Sequence, residues 1–428
     1  MALQVLGTDK ALRLNDFTLV GLVQAADFNP EFAAQTINEM GRDSRVGQSY
    51  ELETRGSLEL MATGNTAGLL ARMNVKRTAG AFAGYQYDPA GAGGKNGYTW
   101  TQTDMKEMQF DLLYHEKSDQ VTFDRSVWIP RCYLTSFSGR RDANGNGSET
   151  FNWQAQFAEA FKAPFHDVRS IPATYTSATT VTLADVSVAS TTYTLAYVVI
   201  NERVFRTVAG DATKFSLGSA GLLTMTTTEG YVIPTDAVIR ALVYKTTPGT
   251  TFPVLAAVDR GTSAFSLRGY QTNIYIAPVS ASAPTDAEKW LKVQSASWDV
   301  NLRVDALRQI MRNDLGSSIY ARVPTFPLDI GLNFSVTEAD WLDWKALMTK
   351  TFTGAVVYDN SMSFAPSTMK QNFNIVIEDY TTSGVKLQSF RFTDCYVDGA
   401  GLRSNVGGRG EMSWSTKASA FTLVGTNG

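Results

Sequence analysis

Apolar and polar residues alternate with a period of two in Gln48–Met61 and in part of Leu328–Val336, and strand-like segments dominate both ends of the chain, which predicts a protein built mainly from β-strands. The predicted strands are alternating segments or short runs rich in Val, Ile, Thr, Tyr and Phe, residues that suit a pleated, half-buried surface. They are Gln48–Met61, Met108–Tyr114, Val121–Phe137 and Phe151–Phe161 near the N-terminus, and Leu328–Val336, Phe373–Asp379, Val385–Val397 and Glu411–Val424 near the C-terminus.

Helical spacing is confined to two short stretches, one ending at Met73 and one at Met348. In the second stretch, the segment from Thr337 to Asp340 fits an N-terminal capping pattern. The residues that then fall on one helical face are Trp341, Trp344, Leu347 and Met348. We therefore expect a single helix packed on each of two curved sheets.

The stretch Ser170–Thr285 differs in composition from its flanks. Of its 116 residues, 32 are Ser or Thr and 13 are charged, whereas the flanks are richer in charge. Its predicted strands are Tyr193–Ile200, Ala237–Tyr244 and Thr272–Ile276, with turn signals such as Pro248-Gly249 between them. We interpret residues 170–285 as a separate, sandwich-like all-β domain.

The two flanks resemble each other through several weak matches that occur in the same order. These matches are Val23–Phe28 with Val293–Trp298, Leu58–Leu60 with Leu328–Ile330, Cys132–Leu134 with Cys395–Val397, Glu149 with Glu411, and Trp153 with Trp414. They predict an internal duplication, residues 1–169 and 286–428, on either side of the middle domain. The alternative is that two unrelated β domains share ordinary patterns.

Charge and composition argue against several classes of protein. With 38 Lys and Arg against 41 Asp and Glu, the net charge of −3 disfavours a basic nucleic-acid binder that grips phosphates. No apolar run is long enough for a membrane-spanning helix, and Met1–Gln4 does not begin a secretion signal. Two cysteines and two histidines provide few groups for disulfides, zinc or acid–base chemistry, so we expect no cofactor, no metal and no catalysis.

Two loop motifs resemble ligand-binding loops only in part. Gly91–Gly97 lacks the first Gly and the Ser/Thr of a phosphate-binding P-loop, and is interpreted as a flexible loop. Asp142–Gly147 matches half of a calcium loop, but Trp153 stands where the last ligand should be, which favours a β-hairpin turn.

The remaining candidates for chemistry have simpler interpretations. Cys132 and Cys395 are expected to be buried, small hydrophobic residues at equivalent positions. His115 and His166 have no counterpart in the second flank and no nucleophile motif beside them, so they are interpreted as structural or surface residues.

Each flank resembles the tail-tube domain of long-tailed bacteriophages, a family that is also similar to the tube proteins of contractile injection systems. The resemblance rests on a β-rich unit with a helix after Leu58–Leu60 or Leu328–Ile330, a long loop, and a Gly/Asn turn before Trp153 or Trp414. It implies a mainly β fold of two tandem tail-tube β-barrel or sandwich domains, each with one helix, and an immunoglobulin-like domain between them. In many relatives that extra domain is C-terminal instead.

The resemblance further implies a structural virion protein. Three duplicated chains would form a pseudo-hexameric ring, and stacked rings would form the tail tube through which double-stranded DNA is ejected. Closing curved sheets edge to edge suits such a role, because it leaves no free strand edges. The implied partners are further copies of the chain, a tape measure protein, a tail terminator, baseplate or tip proteins and, in contractile tails, a sheath. The implied location is the virion tail, after synthesis in the host cytoplasm.

Two sets of candidate residues follow from this resemblance. A basic bore would bind the phosphates of DNA, so an acidic or neutral bore is expected. The predicted lumen-facing carboxylates are Glu51, Glu53, Glu59 and Asp329, with an outer-face or interface role as the alternative. The Gly-rich loop Ala79–Gly97 is predicted to contact the adjacent ring, with Tyr85, Tyr87, Lys95 and Asn96 as the candidate contacts.

Other functions remain open from the sequence. One is a different virion component, such as a decoration or baseplate protein, or an adhesin whose Ser/Thr-rich domain binds glycans. Another is a polysaccharide depolymerase, which would need a pair of acids in a groove that the sequence does not reveal.

Overall fold

The structure is a computed structural model that describes most of the chain. The described residues are 10–14, 18–19, 23–37, 46–73, 98–102, 105, 108–116, 125–155, 158–162, 166–201, 203–207, 215–225, 231–245, 247, 266–278, 293–308, 319–325, 328–337, 372–403 and 411–425. The candidate loop residues Tyr85, Tyr87, Lys95 and Asn96 and the predicted helix before Met348 lie outside these ranges.

The fold is mainly β, as predicted. The first strands are β1 (Lys10–Leu14), β2 (Thr18–Leu19), β3 (Val23–Ile37), β4 (Val46–Met61), β5 (Tyr98–Thr101), β6 (Gln109–Glu116), β7 (Arg125–Asp142), β8 (Ser148–Ala155) and β9 (Glu159–Lys162). Helix α1 spans Thr66–Met73 and so ends where the sequence predicted.

The middle and last parts of the chain continue the β pattern. The middle strands are β10 (His166–Ser177), β11 (Thr180–Leu183), β12 (Thr194–Ile200), β13 (Arg203–Arg206), β14 (Phe215–Leu217), β15 (Leu222–Met225) and β16 (Ile239–Lys245). The last strands are β17 (Thr272–Pro278), β18 (Val293–Asn301), β19 (Val304–Arg308), β20 (Ile319–Pro324), β21 (Asp329–Thr337), β22 (Phe373–Tyr380), β23 (Lys386–Arg403), β24 (Glu411–Lys417) and β25 (Ala420–Gly425).

The two ends of the chain repeat one pattern of antiparallel strand pairing. Equivalent strands are β1 and β17, β3 and β18, β4 and β21, β6 and β22, β7 and β23, β8 and β24, and β9 and β25. Strands β7 and β23 both have 18 residues. Their N-terminal halves pair with β6 or β22, and their C-terminal halves pair with β8 or β24.

A β-bulge at the same place in both long strands aligns the two repeats. The residue before each cysteine has a positive φ, 51° at Arg131 and 56° at Asp394. The Arg131 N–H donates to Asp111 Oδ1 at 2.9 Å, and the Asp394 N–H donates to Asn374 Oδ1 at 3.1 Å. Each bulge therefore uses a side-chain oxygen from the neighbouring strand to satisfy the amide that leaves the ladder.

The cysteines confirm this alignment and their predicted role. Cys132 and Cys395 are both fully buried, and neither forms a disulfide. Each Sγ donates to the carbonyl oxygen three residues earlier, at 3.4 Å in both strands. Burial raises the pKa of the Cys395 thiol to about 12, so this thiol is held in its unreactive protonated form.

The match between Val23–Phe28 and Val293–Trp298 has the same register in both repeats. Val23 lies opposite Leu60 and Val293 opposite Val336, and a register shift follows immediately in each strand. This second irregularity aligns β3 with β18 independently of the cysteine bulge.

Two other predicted matches are wrong by a few residues. Trp153 lies opposite Leu134, two positions after Cys132, and the corresponding position in the second repeat is Thr416. Trp414 is instead the equivalent of Phe151. By the same register, the equivalent of Glu149 is Met412, not Glu411.

An exchange of side-chain volume between opposite residues explains why Trp153 of the first repeat has no tryptophan at the equivalent position of the second. Trp153 lies opposite Gly56, where a Cβ would come within 2.3 Å of the indole. In the second repeat the larger Leu332 lies opposite the smaller Thr416. The pair conserves volume rather than residue identity, as a tightly packed core requires.

The Leu58–Leu60 match is displaced as well. Leu58 lies opposite Phe151, and the residue opposite the equivalent Trp414 is Phe334. The equivalent of Leu58 is therefore Phe334, and Leu328 lies six positions earlier. By this register Asp329 is the equivalent of Glu53 rather than of Glu59.

One hydrophobic core lies beneath both repeats. It includes Phe137, Phe151, Trp298, Phe390 and Phe421, all at most 2% exposed. The ring centroids of Trp298 and Phe390 from the second repeat lie 4.7 Å apart, and that of Phe137 from the first repeat lies 6.3 Å from Phe390. The two repeats are therefore packed as one body in the described chain.

A buried polar network crosses between the repeats. Arg141 of β7 forms ion pairs of 2.8 Å with Glu149 and with Asp379 of β22, and all three side chains are at most 4% exposed. The two carboxylates raise the pKa of the Arg141 guanidinium against the opposing effect of its burial. Gln388 donates to Asp379 at 2.8 Å, and the Thr66 hydroxyl at the start of α1 donates to Glu149 at 2.7 Å.

The middle of the chain forms its own seven-stranded sheet, in the order β13-β12-β16-β10-β11-β15-β14. One face covers a core that includes Ile171, Val198, Phe205 and Leu223. The sequence grouped Thr272–Ile276 with this unit, but β17 pairs with β22 in the sheet of the second repeat. The pattern of the segment identified a strand, whereas its sheet was decided by long-range pairing. The predicted domain boundaries remain predictions.

The second face of the middle sheet is packed on the first repeat. Tyr197 and Leu242 join Leu113, Trp128 and Phe161 in one buried cluster, and the rings of Trp128 and Tyr197 lie 5.6 Å apart. A polar contact fixes this packing. Asp111 accepts from the Ser170 hydroxyl at 2.5 Å and lies 3.2 Å from Arg240 Nε, with both charged side chains buried.

Two smaller predictions also have an outcome. The Asp142–Gly147 segment forms the predicted hairpin turn between β7 and β8. His115 is buried with Nδ1 at 2.9 Å from the Ser126 hydroxyl, and burial holds its pKa well below the usual value. Within the described ranges no helix is long and apolar enough to span a bilayer, and no cluster of metal-binding side chains occurs.

Candidate functional site: a polar sheet face and two open edges

Eight strands of the two repeats form one continuous antiparallel sheet. Their order is β3-β4-β8-β7-β18-β21-β24-β23, so that four strands of the first repeat are followed by their four equivalents. The junction is the pairing of β7 with β18, from Ser295 opposite Asp142 to Asn301 opposite Ser136. The two repeats thus share main-chain hydrogen bonds across their boundary.

One face of this sheet packs on the core and the other is polar. Because side chains alternate along a strand, residues directly opposite each other share a face. The core face carries buried residues such as Leu58, Phe151, Phe137, Trp298, Phe334 and Trp414. The other face carries mainly small polar residues: Ser57, Thr150, Asn152, Ser136, Ser138, Ser297, Asn301, Asn333, Ser335, Ser413 and Ser415.

Each cationic side chain described on the polar face has a carboxylate beside it. The ion pairs are Arg55 Nη2 with Glu53 Oε2 at 3.3 Å, Arg140 Nε with Asp142 Oδ2 at 2.8 Å, and Lys417 Nζ with Asp329 Oδ1 at 2.6 Å. Further carboxylates on the same face belong to Asp27, Glu59, Asp299 and Glu411. The described part of this face therefore carries a net negative charge.

The electrostatics at the centre of the face follow from this crowding. Burial, and then the nearby Asp329 carboxylate, raise the pKa of Asp299 above its usual value. The hydrogen bond to Asp329 raises the pKa of Lys417. The pKa of Asp299 thus reflects its burial first and the neighbouring carboxylate second.

The candidate acids from the sequence can now be located. Glu53, Glu59 and Asp329 lie on the polar face of β4 and β21, and all three are at least partly exposed. Glu51 lies in β4 two residues before Glu53, and its side chain is outside the description. The sequence missed Asp27, Asp299 and Glu411, although their alternation with apolar residues was a usable signal.

The two ends of the eight-stranded sheet have open edges among the described strands. The C-terminal half of β7 has β8 on one side and β18 on the other, whereas the C-terminal half of β23 has only β24. Similarly, β18 lies between β21 and β7, whereas β3 pairs only with β4. Among the described strands, β23 therefore lacks the neighbour that β18 provides for β7, and β3 lacks the neighbour that β7 provides for β18.

The side chains along these edges reflect the missing neighbours. Ala26 and Phe28 of β3 are exposed, Phe28 at 36%, whereas the equivalent Ala296 and Trp298 of β18 are at most 2% exposed. Exposed apolar groups along an open strand edge are typical of a surface that pairs with another chain.

The chain was compared with protein-family models, curated proteins and solved structures. No protein-family model and no curated protein matches the chain. It is similar to the sheath/tube terminator of the PVC extracellular contractile injection system, with 11% identity and a TM-score of 0.24 over 37% of this chain and 96% of that one. It is also similar to a chain of the anti-feeding prophage baseplate, with 8% identity and a TM-score of 0.24 over 41% and 98% of the two chains.

A third similar structure is that of an Hcp protein. The identity is 12% and the TM-score 0.18, over 34% of this chain and 87% of the Hcp chain.

Proposed function

We propose that this chain is a non-catalytic structural subunit of a bacteriophage tail or a related injection particle, and that it builds the wall of the tail tube. The observation that carries the proposal is the eight-stranded sheet, in which two equivalent four-stranded units are joined edge to edge and, among the described strands, the same two edges are left open at the ends.

A subunit with two complementary open edges is suited to repeated assembly. Contacts between different edges are head-to-tail, and they close into a ring or continue as a helix. Three chains would supply six equivalent four-stranded units, the number suggested by the resemblance to tail-tube proteins. A closed ring would satisfy the open strand edges, which otherwise favour aggregation.

The polar face is the proposed lining of the bore. DNA carries about one charge per 1.7 Å of its axis, so cationic groups in the bore would hold it and slow its passage. The described cations of this face lie beside carboxylates, and Glu59 and Asp299 add negative charge. Such a lining would repel DNA weakly and allow it to slide.

The middle unit is the proposed decoration domain of the tube. It packs on β6, β7 and β9 through Leu113, Trp128 and Phe161, away from the polar face of the eight-stranded sheet. In this proposal the tape measure protein occupies the bore before DNA does, and the terminator, baseplate or tip proteins and a possible sheath contact the tube from its ends and outside.

Electron microscopy and mass measurement of the purified full chain test this function. We expect rings or tubes, and soluble assemblies whose mass is a multiple of three chains. A chain that stays monomeric at high concentration would contradict the proposal. Release of reducing ends from a host polysaccharide would support an enzyme instead.

A further inference from the structure

We infer that the open edge of β3 in one chain pairs antiparallel with the C-terminal half of β23 in a second copy, in the register that β18 adopts on β7. The partner is thus another molecule of this protein, and the inference rests on the proposed assembly function. It goes further by naming the residues that lie opposite each other across the interface.

The junction inside the chain is the template. There, Ser297 lies opposite Arg140 and Trp298 lies opposite Gly139. The cysteine bulges align β7 with β23, and the register shifts after Val23 and Val293 align β3 with β18. Both strands of the template therefore have defined equivalents at the open edges.

Transferring the register gives specific pairs between molecules. Asp27 is the equivalent of Ser297, and Arg403 is the equivalent of Arg140. In the inferred interface Asp27 therefore lies opposite Arg403. Phe28 lies opposite Leu402, and Asn29 lies opposite Gly401. The first pair joins opposite charges, which favours this register over shifts that would place Asp27 beside an uncharged residue.

The sizes of the residues at the Phe28 position also favour this register. At the junction, Trp298 crosses Gly139 so closely that a Cβ on the glycine would come within 2.2 Å of the indole. At the proposed interface a smaller aromatic residue, Phe28, faces a larger residue, Leu402. The same exchange of volume occurs inside the chain, where Gly56 with Trp153 is replaced by Leu332 with Thr416.

The burial of equivalent residues agrees with the transferred pairing. Ala296 and Trp298 are buried at the junction, while their equivalents Ala26 and Phe28 are exposed in the single chain. Covering β3 with a second copy would give both positions the same surroundings. The open edge of β23 would gain the neighbour that β7 already has.

Disulfide trapping tests the register. Residues opposite each other in an antiparallel pair have Cα atoms about 4.5–5.5 Å apart, within the range that a disulfide can bridge. We expect Asp27→Cys with Arg403→Cys to give covalent multimers, ending in a closed trimer, after oxidation of the assembled protein. The matched control is Ser297→Cys with Arg140→Cys, which should close within one chain and leave its mass unchanged.

A cysteine pair that is shifted along the strand tests whether cross-linking depends on this register or only on the two edges being close together. Asp27→Cys with Gly401→Cys is two residues out of register and should give far less cross-linking. Rings or tubes that form without the Asp27–Arg403 cross-link would overturn the register and leave the proposed function standing. A monomeric chain would overturn both.

A surface variant provides a second measurement without cysteines. Phe28→Asp should leave the single chain folded but abolish assembly, because it places a charge where the second copy would bury an aromatic ring. Val186→Asp is the control, since Val186 is 62% exposed in the middle unit. Normal assembly of Phe28→Asp would overturn the inference.

Discussion

At the scale of single residues, the two repeats differ where the middle unit is attached. Asp111 and Asn374 occupy equivalent positions and support equivalent bulges through their Oδ1 atoms. Asp111 also contacts Ser170 and the buried Arg240. We attribute the carboxylate in the first repeat to the guanidinium of Arg240, with which Asp111 forms a buried ion pair.

Replacing Asp111 with Asn should test this explanation. The amide can still accept the bulge hydrogen bond, but the buried Arg240 loses its carboxylate. We expect a loss of about 3–5 kcal/mol in unfolding free energy, typical of breaking a buried ion pair. Denaturant unfolding of the unassembled chain would measure it.

Two comparisons make the Asp111 experiment specific. The double variant Asp111→Asn with Arg240→Met should recover much of the loss, because no buried charge remains. Ser170→Ala should cost less, about 1.5–3 kcal/mol, the scale of one hydrogen bond to a charged group. An Asp111→Asn protein as stable as the parent would show that this carboxylate is not needed to hold the middle unit.

At the scale of elements, the long strands β7 and β23 organise each repeat. The bulge divides each strand into a half that pairs with β6 or β22 and a half that pairs with β8 or β24. In β7 the second half also receives β18, where the close approach of Trp298 to Gly139 requires a residue without a side chain.

Substitution of Gly139 should therefore weaken the junction. We expect Gly139→Ala to lower the unfolding free energy by about 1–3 kcal/mol, the usual cost of overpacking a tight contact. Gly331→Ala on β21 is the matched control, because a Cβ there meets nothing within 4 Å. Equal effects of the two substitutions in urea unfolding would count against a tight junction.

At the scale of the whole molecule, the polar face combines small neutral side chains with an excess of carboxylates. Its three described cations lie in ion pairs, so the electrostatic field above the described part of this face is negative. This property belongs to the assembled face and not to any single residue, since individual exposed ion pairs contribute little.

Reversing charge on this face should slow DNA release without affecting assembly. In particles built from a Glu59→Lys, Asp299→Lys chain, we expect ejection to be several-fold slower, and the delay to shrink as salt is raised. Ejection kinetics would be followed by the fluorescence of released DNA. Asp236→Lys, an exposed position of the middle unit, should leave the rate unchanged.

If Asp236→Lys slowed ejection as much as the pair on the polar face, the face would not line the bore. Normal tubes with an unchanged ejection rate for Glu59→Lys, Asp299→Lys would lead to the same conclusion.

Local sequence determined much of the secondary structure. Period-two alternation predicted β4, strand-like segments predicted β7 and β22 within a few residues, and helical spacing predicted the end of α1 at Met73. These features depend on neighbours along the chain, so they can be predicted from a single sequence. The similarity between Val23–Phe28 and Val293–Trp298 could also be recognised from the sequence, because it lies in a short continuous segment.

Tertiary structure alone decided which strands meet and in what register. The residue equivalent to Trp153 is Thr416, and β17 pairs with β22. Arg141 of the first repeat forms an ion pair with Asp379 of the second. Such choices depend on volume exchange and on hydrogen bonds between residues far apart in sequence, which a local pattern does not contain. The edges of β3 and β23 that are open among the described strands belong to the same category, since the pairing of an edge depends on strands far away in the sequence.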